Sequence, residues 1–188
     1  MKKLVCLIFT FVIAGSIAMA QGKKDVKKFK IKSETVTLTE TIDGKEKTFT
    51  ESYQKFNKNG QVVEDVEYTK AGTFKKKETV VFNKNKDETE HAYYDEKGNL
   101  VKKMVTEYNA TNDKTSETLY DGKDNVTEKT QYGYNAKGEK IYELLTDDKG
   151  KLIKKSIYAY DSNSLRTEKK TTDANGNVIA IKKYSYEY

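Results

Sequence analysis

Fourteen tyrosines, one histidine, one cysteine and no tryptophan set the range of chemistry open to this 188-residue chain. Nucleophilic catalysis needs a hydroxyl or thiol beside a base, and transition-metal sites draw on clustered His and Cys. His91 is the single histidine and Cys6 lies in the first apolar run, so neither constellation can be assembled. His91 reads as an ordinary strand residue. Adjacent carboxylates occur at Asp147 and Asp148, but they fall in a recurring turn, whereas a glycosidic acid–base pair needs a cleft of its own. The run Asp173-Ala174-Asn175-Gly176-Asn177 is like a calcium loop that lacks the bidentate Glu at its twelfth position, and it fits a hairpin turn better. The residues thus point to no catalytic group, no metal and no cofactor.

Tyrosine is the remaining chemistry, and it is concentrated toward the C-terminus, where Tyr132, Tyr134, Tyr158, Tyr160, Tyr184 and Tyr186 recur in pairs. Two readings stand. The rings cover a sheet and keep their hydroxyls in water, or these six residues line a surface for a glycan or peptide, since rigid amphipathic rings suit recognition. Lysine runs such as Lys75-Lys76-Lys77, Lys102-Lys103, Lys154-Lys155 and Lys182-Lys183 read as solvated ladders that also discourage edge-to-edge aggregation.

The elements that carry these side chains follow from a repeat. The unit Tyr94-Asp95-Glu96-Lys97-Gly98-Asn99-Leu100-Val101 is a turn: Asp95 supplies a side-chain acceptor and Gly98 the positive φ that lets the chain re-enter a strand. Turn signals begin near Asp43, Asn57, Lys70, Asn83, Asp95, Asn109, Asp121, Asn135, Asp147, Asp161 and Asp173, and from Asp95 the steps alternate 14 and 12, a period of 26. Three columns keep that period: Phe56, Phe82, Tyr108, Tyr134, Tyr160, Tyr186; Tyr68, Tyr94, Tyr120, Thr146, Thr172; and Gly72, Gly98, Gly150, Gly176, with Asp124 as the exception. Between turns, apolar and aromatic residues fall on even spacings, as in Leu152, Tyr158 and Tyr160, which excludes a helix. The expected fold is all-β: about twelve antiparallel strands, built as 26-residue β-hairpin repeats, in one long twisted sheet curled into a trough or partly closed barrel. Equivalent tyrosines then lie two strands apart, about 9.6 Å, with Tyr142 and Leu144 of the intervening strand expected to fill the gap.

The first twenty residues differ. Lys2 and Lys3 precede an apolar run from Leu4 to Ile13, and Ala18-Met19-Ala20 has the small-x-small pattern of a cleavage site, so residues 1–20 read as a secretory signal peptide. The run is too short to span a membrane. Cleavage removes Cys6, Lys2 and Lys3, which lowers the formal charge from +6 to +4; the product has no thiol or disulfide, and its mild basic excess with export argues against nucleic acid. Residues 21–30 form a lysine-rich, flexible leader, and 31–188 one β-hairpin repeat domain. With 34% charged residues a conventional core is under-supplied, so stability must come from strand pairing and nearest-neighbour contacts.

The units Tyr94-Asp95-Glu96-Lys97-Gly98-Asn99-Leu100, Thr172-Asp173-Ala174-Asn175-Gly176-Asn177-Val178 and Tyr134-Asn135-Ala136-Lys137-Gly138-Glu139 resemble the YD repeats of Rhs-type proteins and the short repeats of exported YwqK- and MORN-like bacterial proteins. The resemblance spans about residues 56–188. It implies a β-strand spiral or extended sheet at the cell surface, in the periplasm or outside the cell, in some members carbohydrate-binding. The Arg usual after the turn glycine is replaced by Asn99, Lys151 or Asn177, and the chain is too short for the toxin-enclosing cage. The functional expectation is an exported, non-enzymatic module presenting a Tyr-rich surface to an envelope glycan, peptidoglycan or protein partner, or serving a structural envelope role. The alternative is a carbohydrate-active enzyme of the envelope, which a carboxylate cluster outside the repeat columns would favour.

Overall fold

The computed structural model describes residues 23–42 and 45–187. The expected signal peptide and the Asp43-Gly44 turn lie outside them. Twelve strands form one antiparallel sheet in strict sequence order. They are β1 (Ser33–Ile42), β2 (Lys45–Phe56), β3 (Val62–Tyr68), β4 (Phe74–Phe82), β5 (Glu88–Tyr94), β6 (Leu100–Tyr108), β7 (Lys114–Asp121), β8 (Val126–Tyr134), β9 (Lys140–Asp147), β10 (Leu152–Tyr160), β11 (Arg166–Asp173) and β12 (Val178–Lys183). The sheet is open, with β1 and β12 as its edges.

The turns explain the repeat. Ten five-residue turns open at Asn57, Thr69, Asn83, Asp95, Asn109, Asp121, Asn135, Asp147, Asp161 and Asp173. In each, the first N–H donates to the fifth carbonyl at 2.8–3.0 Å and the fourth N–H donates back to the first carbonyl at 2.8–3.2 Å. The side-chain oxygen of the first residue then accepts from the third and fifth N–H groups, as Asp95 does from Lys97 and Asn99 at 2.8 and 2.9 Å. That is why Asp or Asn opens nearly every turn. The turn read near Lys70 starts one residue earlier, because the Thr69 hydroxyl is the acceptor there, 3.3 Å from the Thr73 N–H. The fourth residue takes positive φ throughout: Gly98 at 76°, but also Lys86 at 73°, Asn112 at 70°, Asp124 at 61° and Ser164 at 64°. The backbone bonds at both ends hold these non-glycine residues in a region that costs them conformational energy.

No continuous core runs through the sheet. The main cluster is Val26, Phe56 and Val62, with Ile31 packed against it. Val26 comes from a short helix, α1 (Lys23–Phe29), inside the segment expected to be a loose leader. It is 1% exposed, so one apolar side chain fixes α1 over β2 and β3. Elsewhere burial is local and partly polar: Ala92 and Tyr158 are buried, and so are His91, Thr106, Ser116 and Ser156.

Cross-strand register separates two faces. One face carries Tyr132, Glu143, Ser156 and Thr171 opposite one another on β8 to β11, and Tyr158 opposite Lys169. The other carries Gly133, Tyr142, Ile157, Lys170 and Ile181 in one row across β8 to β12. Tyr142 and Leu144 therefore do not fill the gap between Tyr132 and Tyr158. Glu143 does, because it is the β9 residue in register with Tyr132, while the Tyr142 ring lies over Gly133, where an added Cβ would come within 2.0 Å of Cε1.

Candidate functional site

The six C-terminal tyrosines divide by what their hydroxyls do. Tyr134, Tyr160 and Tyr186 each donate to a main-chain carbonyl twenty residues earlier: Lys114 at 2.9 Å, Lys140 at 2.9 Å and Arg166 at 2.8 Å. Tyr108 repeats the bond to Glu88 at 2.8 Å. Each acceptor is the first residue of the odd-numbered strand just before the tyrosine's own, so these tyrosines close the open end of a single hairpin, as Tyr134 at the end of β8 does with Lys114 at the start of β7. Their hydroxyls are engaged rather than left to water. A strand pattern alone could not reveal this, because the acceptor is backbone.

Tyr132, Tyr158 and Tyr184 make a different column, threaded with cations. The Lys140 ammonium lies 5.0 Å from the ring centroids of both Tyr132 and Tyr158. The Arg166 guanidinium lies 4.6 Å from Tyr158, 5.9 Å from Tyr160 and 5.7 Å from Tyr184, and Lys169 sits 5.1 Å from Tyr158. Cations at such distances are held by the ring quadrupole. The Tyr132 hydroxyl donates to Glu117, and Glu143 pairs with Lys140 and, at 2.9 Å, with Lys169. Burial would raise the Glu143 carboxyl, but hydrogen bonds from Lys140, Tyr158 and Lys169 outweigh it and bring the pKa down to about 2. Burial first, then the Glu143 hydrogen bond, push the Tyr158 phenol up; Tyr132 is raised by burial and by Glu117. Tyr158 is 6% exposed, whereas Tyr186 is 46% exposed. The structure thus brings Tyr132, Tyr158, Tyr160 and Tyr184 around the half-buried Lys140 and Arg166, with Tyr186 at the open end.

A second network, on β4 to β6, was not evident from residue types. His91 Nε2 lies 3.0 Å from Glu78 and Nδ1 3.1 Å from Glu88. Tyr93 stacks on the imidazole at 4.4 Å, and the Lys102 ammonium lies 4.5 Å over the Tyr93 ring. Burial would lower the histidine pKa, but bonds to the two carboxylates overcome it and raise it to about 9. The imidazole is therefore a cation at neutral pH and offers no lone pair to a substrate. Lysines expected to be solvated ladders also cover rings: Lys77 over Tyr94 and Lys103 over Tyr120, at 5.7 and 5.1 Å.

Among the described residues no group of three or more His, Cys, Asp or Glu is placed to hold a metal ion, and no helix is long and apolar enough to cross a membrane. An open cleft of about 450 Å³ lies between the first two hairpins, lined by Lys47, Thr48, Phe49, Lys70, Ala71 and Gly72; Lys70 is already paired with Glu40 at 2.7 Å.

No family model and no curated protein matches the chain. Among solved structures it is similar to a porin-like protein from Bacteroides uniformis, at 16% identity and a TM-score of 0.37, over 74% of this chain and 55% of that one. It is similar also to a Photorhabdus luminescens Tc holotoxin pore, at 10% identity and a TM-score of 0.27, over 79% and 11%. A Bacteroides fragilis protein of unknown function matches at 13% and 0.21, over 81% and 93%. The chain spans 55% of the length of the porin-like protein. These likenesses assign no activity to it.

Proposed function

We propose that the chain is an exported, non-enzymatic β-repeat module that binds a linear, carboxylate-bearing envelope glycan, peptidoglycan being the favoured case, along the tyrosine-and-cation face of β8 to β12. The observation that carries this reading is the alternation of rings and cations: Tyr132, Lys140, Tyr158, Arg166, Tyr184. Equivalent tyrosines repeat about every 9.6 Å, two strand spacings. A periodic surface suits a polymer with a period of its own better than it suits a compact metabolite, which needs a concave pocket. Cations interleaved with rings favour a ligand with both carboxylates and flat apolar faces. Export is supported by Lys2 and Lys3, the Leu4–Ile13 run and the Ala18-Met19-Ala20 site. The non-enzymatic reading is supported by the state of the acid–base groups: His91 is protonated between two carboxylates, Glu143 is ion-paired, and Asp147 accepts turn N–H bonds.

The test is co-sedimentation of the purified protein with isolated peptidoglycan sacculi. The protein should pellet with them, and combined Arg166→Ala and Tyr184→Ser replacements should weaken that binding at least tenfold while the β-sheet circular dichroism is kept. A wild-type protein that stays in the supernatant, or a folded double variant that pellets equally well, overturns the reading.

A further inference from the structure

The two edges of the sheet are unlike, and they fit each other. β1 carries Glu34 and Glu40 and no basic residue, while β12, Val178-Ile179-Ala180-Ile181-Lys182-Lys183, carries two lysines and no acid. Among the described residues no strand pairs with the outer side of either. All neighbours are antiparallel and the strand count is even, so β1 and β12 run in opposite directions. A second copy placed with its β1 against β12 would continue the antiparallel alternation with both faces in step. The helix α1 leans inward, its Val26 packed on Phe56 and Val62, and so is anchored over β2 and β3.

The last repeat also reads as half of a pair. Tyr132-Gly133-Tyr134 and Tyr158-Ala159-Tyr160 are strand because β9 and β11 pair with them. The corresponding Tyr184-Ser185-Tyr186, one period later, is not strand. Inside the sheet the first residue of the next odd strand lies opposite the second tyrosine: Lys140 opposite Tyr134 and Arg166 opposite Tyr160. Among the described residues Tyr186 has no such neighbour and is 46% exposed, while Ile179 and Ile181 on β12 are 57% and 53% exposed. Lys32, whose carbonyl accepts from the Phe56 N–H at 2.9 Å, immediately precedes β1 and would supply the missing cation.

We propose that copies of this chain join head to tail, β12 of one pairing with β1 of the next, into an open β-ribbon. A register that sets Tyr186 opposite Lys32 keeps each face continuous, with Lys182 opposite Val36 and diagonal to Glu34. Glu40 is already held by Lys70 at 2.7 Å, so Glu34 is the carboxylate that answers Lys182. Charge selects the direction: β12 against β12 would set lysines against lysines, whereas β12 against β1 pairs opposite signs. A heterologous contact of this kind does not close on itself and so generates filaments rather than dimers.

Sedimentation velocity of the purified protein over a concentration series, at low and high salt, reads the assembly. The expected result is a ladder of species beyond the dimer at low salt that collapses toward monomer at high salt. Lys182→Glu alone and Glu34→Lys alone should each weaken association about tenfold, and an equimolar mixture of the two variants should restore it, since each then offers the other an opposite charge. Circular dichroism confirms that each variant is folded, and recovery in the mixture excludes unfolding as the cause. A monomer at every concentration, a species that stops at the dimer, or variants whose mixture behaves no differently from either alone would overturn the proposal.

Discussion

His91 is the single histidine, so its titration can be followed without assignment ambiguity. Its imidazole is 6% exposed by residue, lies between Glu78 and Glu88, stacks on Tyr93 and faces Val80 and Met104 in register. Its pKa is raised from 6.5 to about 9. At ~1.36 kcal/mol per pH unit, that difference corresponds to about 3 kcal/mol of stability, an order-of-magnitude figure. The sign is fixed by which state holds the proton more tightly. The folded state does, so the contribution is complete below pH 6.5 and disappears as pH rises through about 9. Glu78 acts in the other direction: its pKa is lowered, chiefly by the His91 hydrogen bond, so its contribution is lost only as pH falls below the ordinary carboxylate range. With a urea m-value of about 1–3 kcal/mol/M, the unfolding midpoint should drop by roughly 1–3 M between pH 6 and 9.5. Tyr93, raised to about 12 mainly by burial, stays neutral in that window. Two measurements check this: the imidazole proton shift in NMR, which should show a midpoint near 9, and urea melts of wild type and His91→Gln. The variant should lose most of the pH dependence. A midpoint at or below 6.5, or a variant with the same slope as wild type, refutes the account of this network.

Three further outcomes follow from the same geometry. Tyr134→Phe removes the hydroxyl bond to the Lys114 carbonyl and should cost about 1 kcal/mol in a urea melt, a typical net hydrogen-bond contribution; no change in midpoint would show that the bond does not hold the open end of the β7–β8 hairpin together. Gly98→Val has open space around it, with nothing within 4 Å of the new Cβ, but φ is +76°, so its cost of roughly 1–3 kcal/mol is backbone strain alone. The exposed Lys97→Ala should cost under about 0.5 kcal/mol, and equal midpoints would refute the turn geometry. Gly133→Ala drives a methyl against the Tyr142 ring and should cost about 1–3 kcal/mol, whereas the pair Gly133→Ala with Tyr142→Ala should recover much of that loss if the ring contact is the cause.

The repeat was legible because three columns carry it, and each has a local physical cause. Asp or Asn opens a turn whose N–H groups its side chain satisfies, and positive φ follows three residues later. The alternate turn column was harder to read, since Lys86, Asn112 and Ser164 stand where Gly60 and Gly138 stand in other repeats; backbone bonds rather than residue type hold them there. α1 offered one apolar residue in Lys-Lys-Asp-Val-Lys-Lys-Phe that turned out to be buried, and its anchor is the tertiary pocket of Phe56 and Val62. The tyrosine columns were visible, but not the division between rings bonded to carbonyls and rings under cations. That depends on which cross-strand partner each residue meets, and hence on the register shift that follows every turn.

The ligand proposed for the ring-and-cation face of β8 to β12 is a linear carboxylate-bearing glycan. Isothermal titration with soluble peptidoglycan strand fragments of increasing length tests it most directly. Affinity should rise with fragment length as more of the Lys140, Arg166 and Tyr184 row is covered, and Arg166→Ala should weaken the longest fragments at least tenfold. Affinity independent of length, or no heat of binding from any fragment, would contradict it.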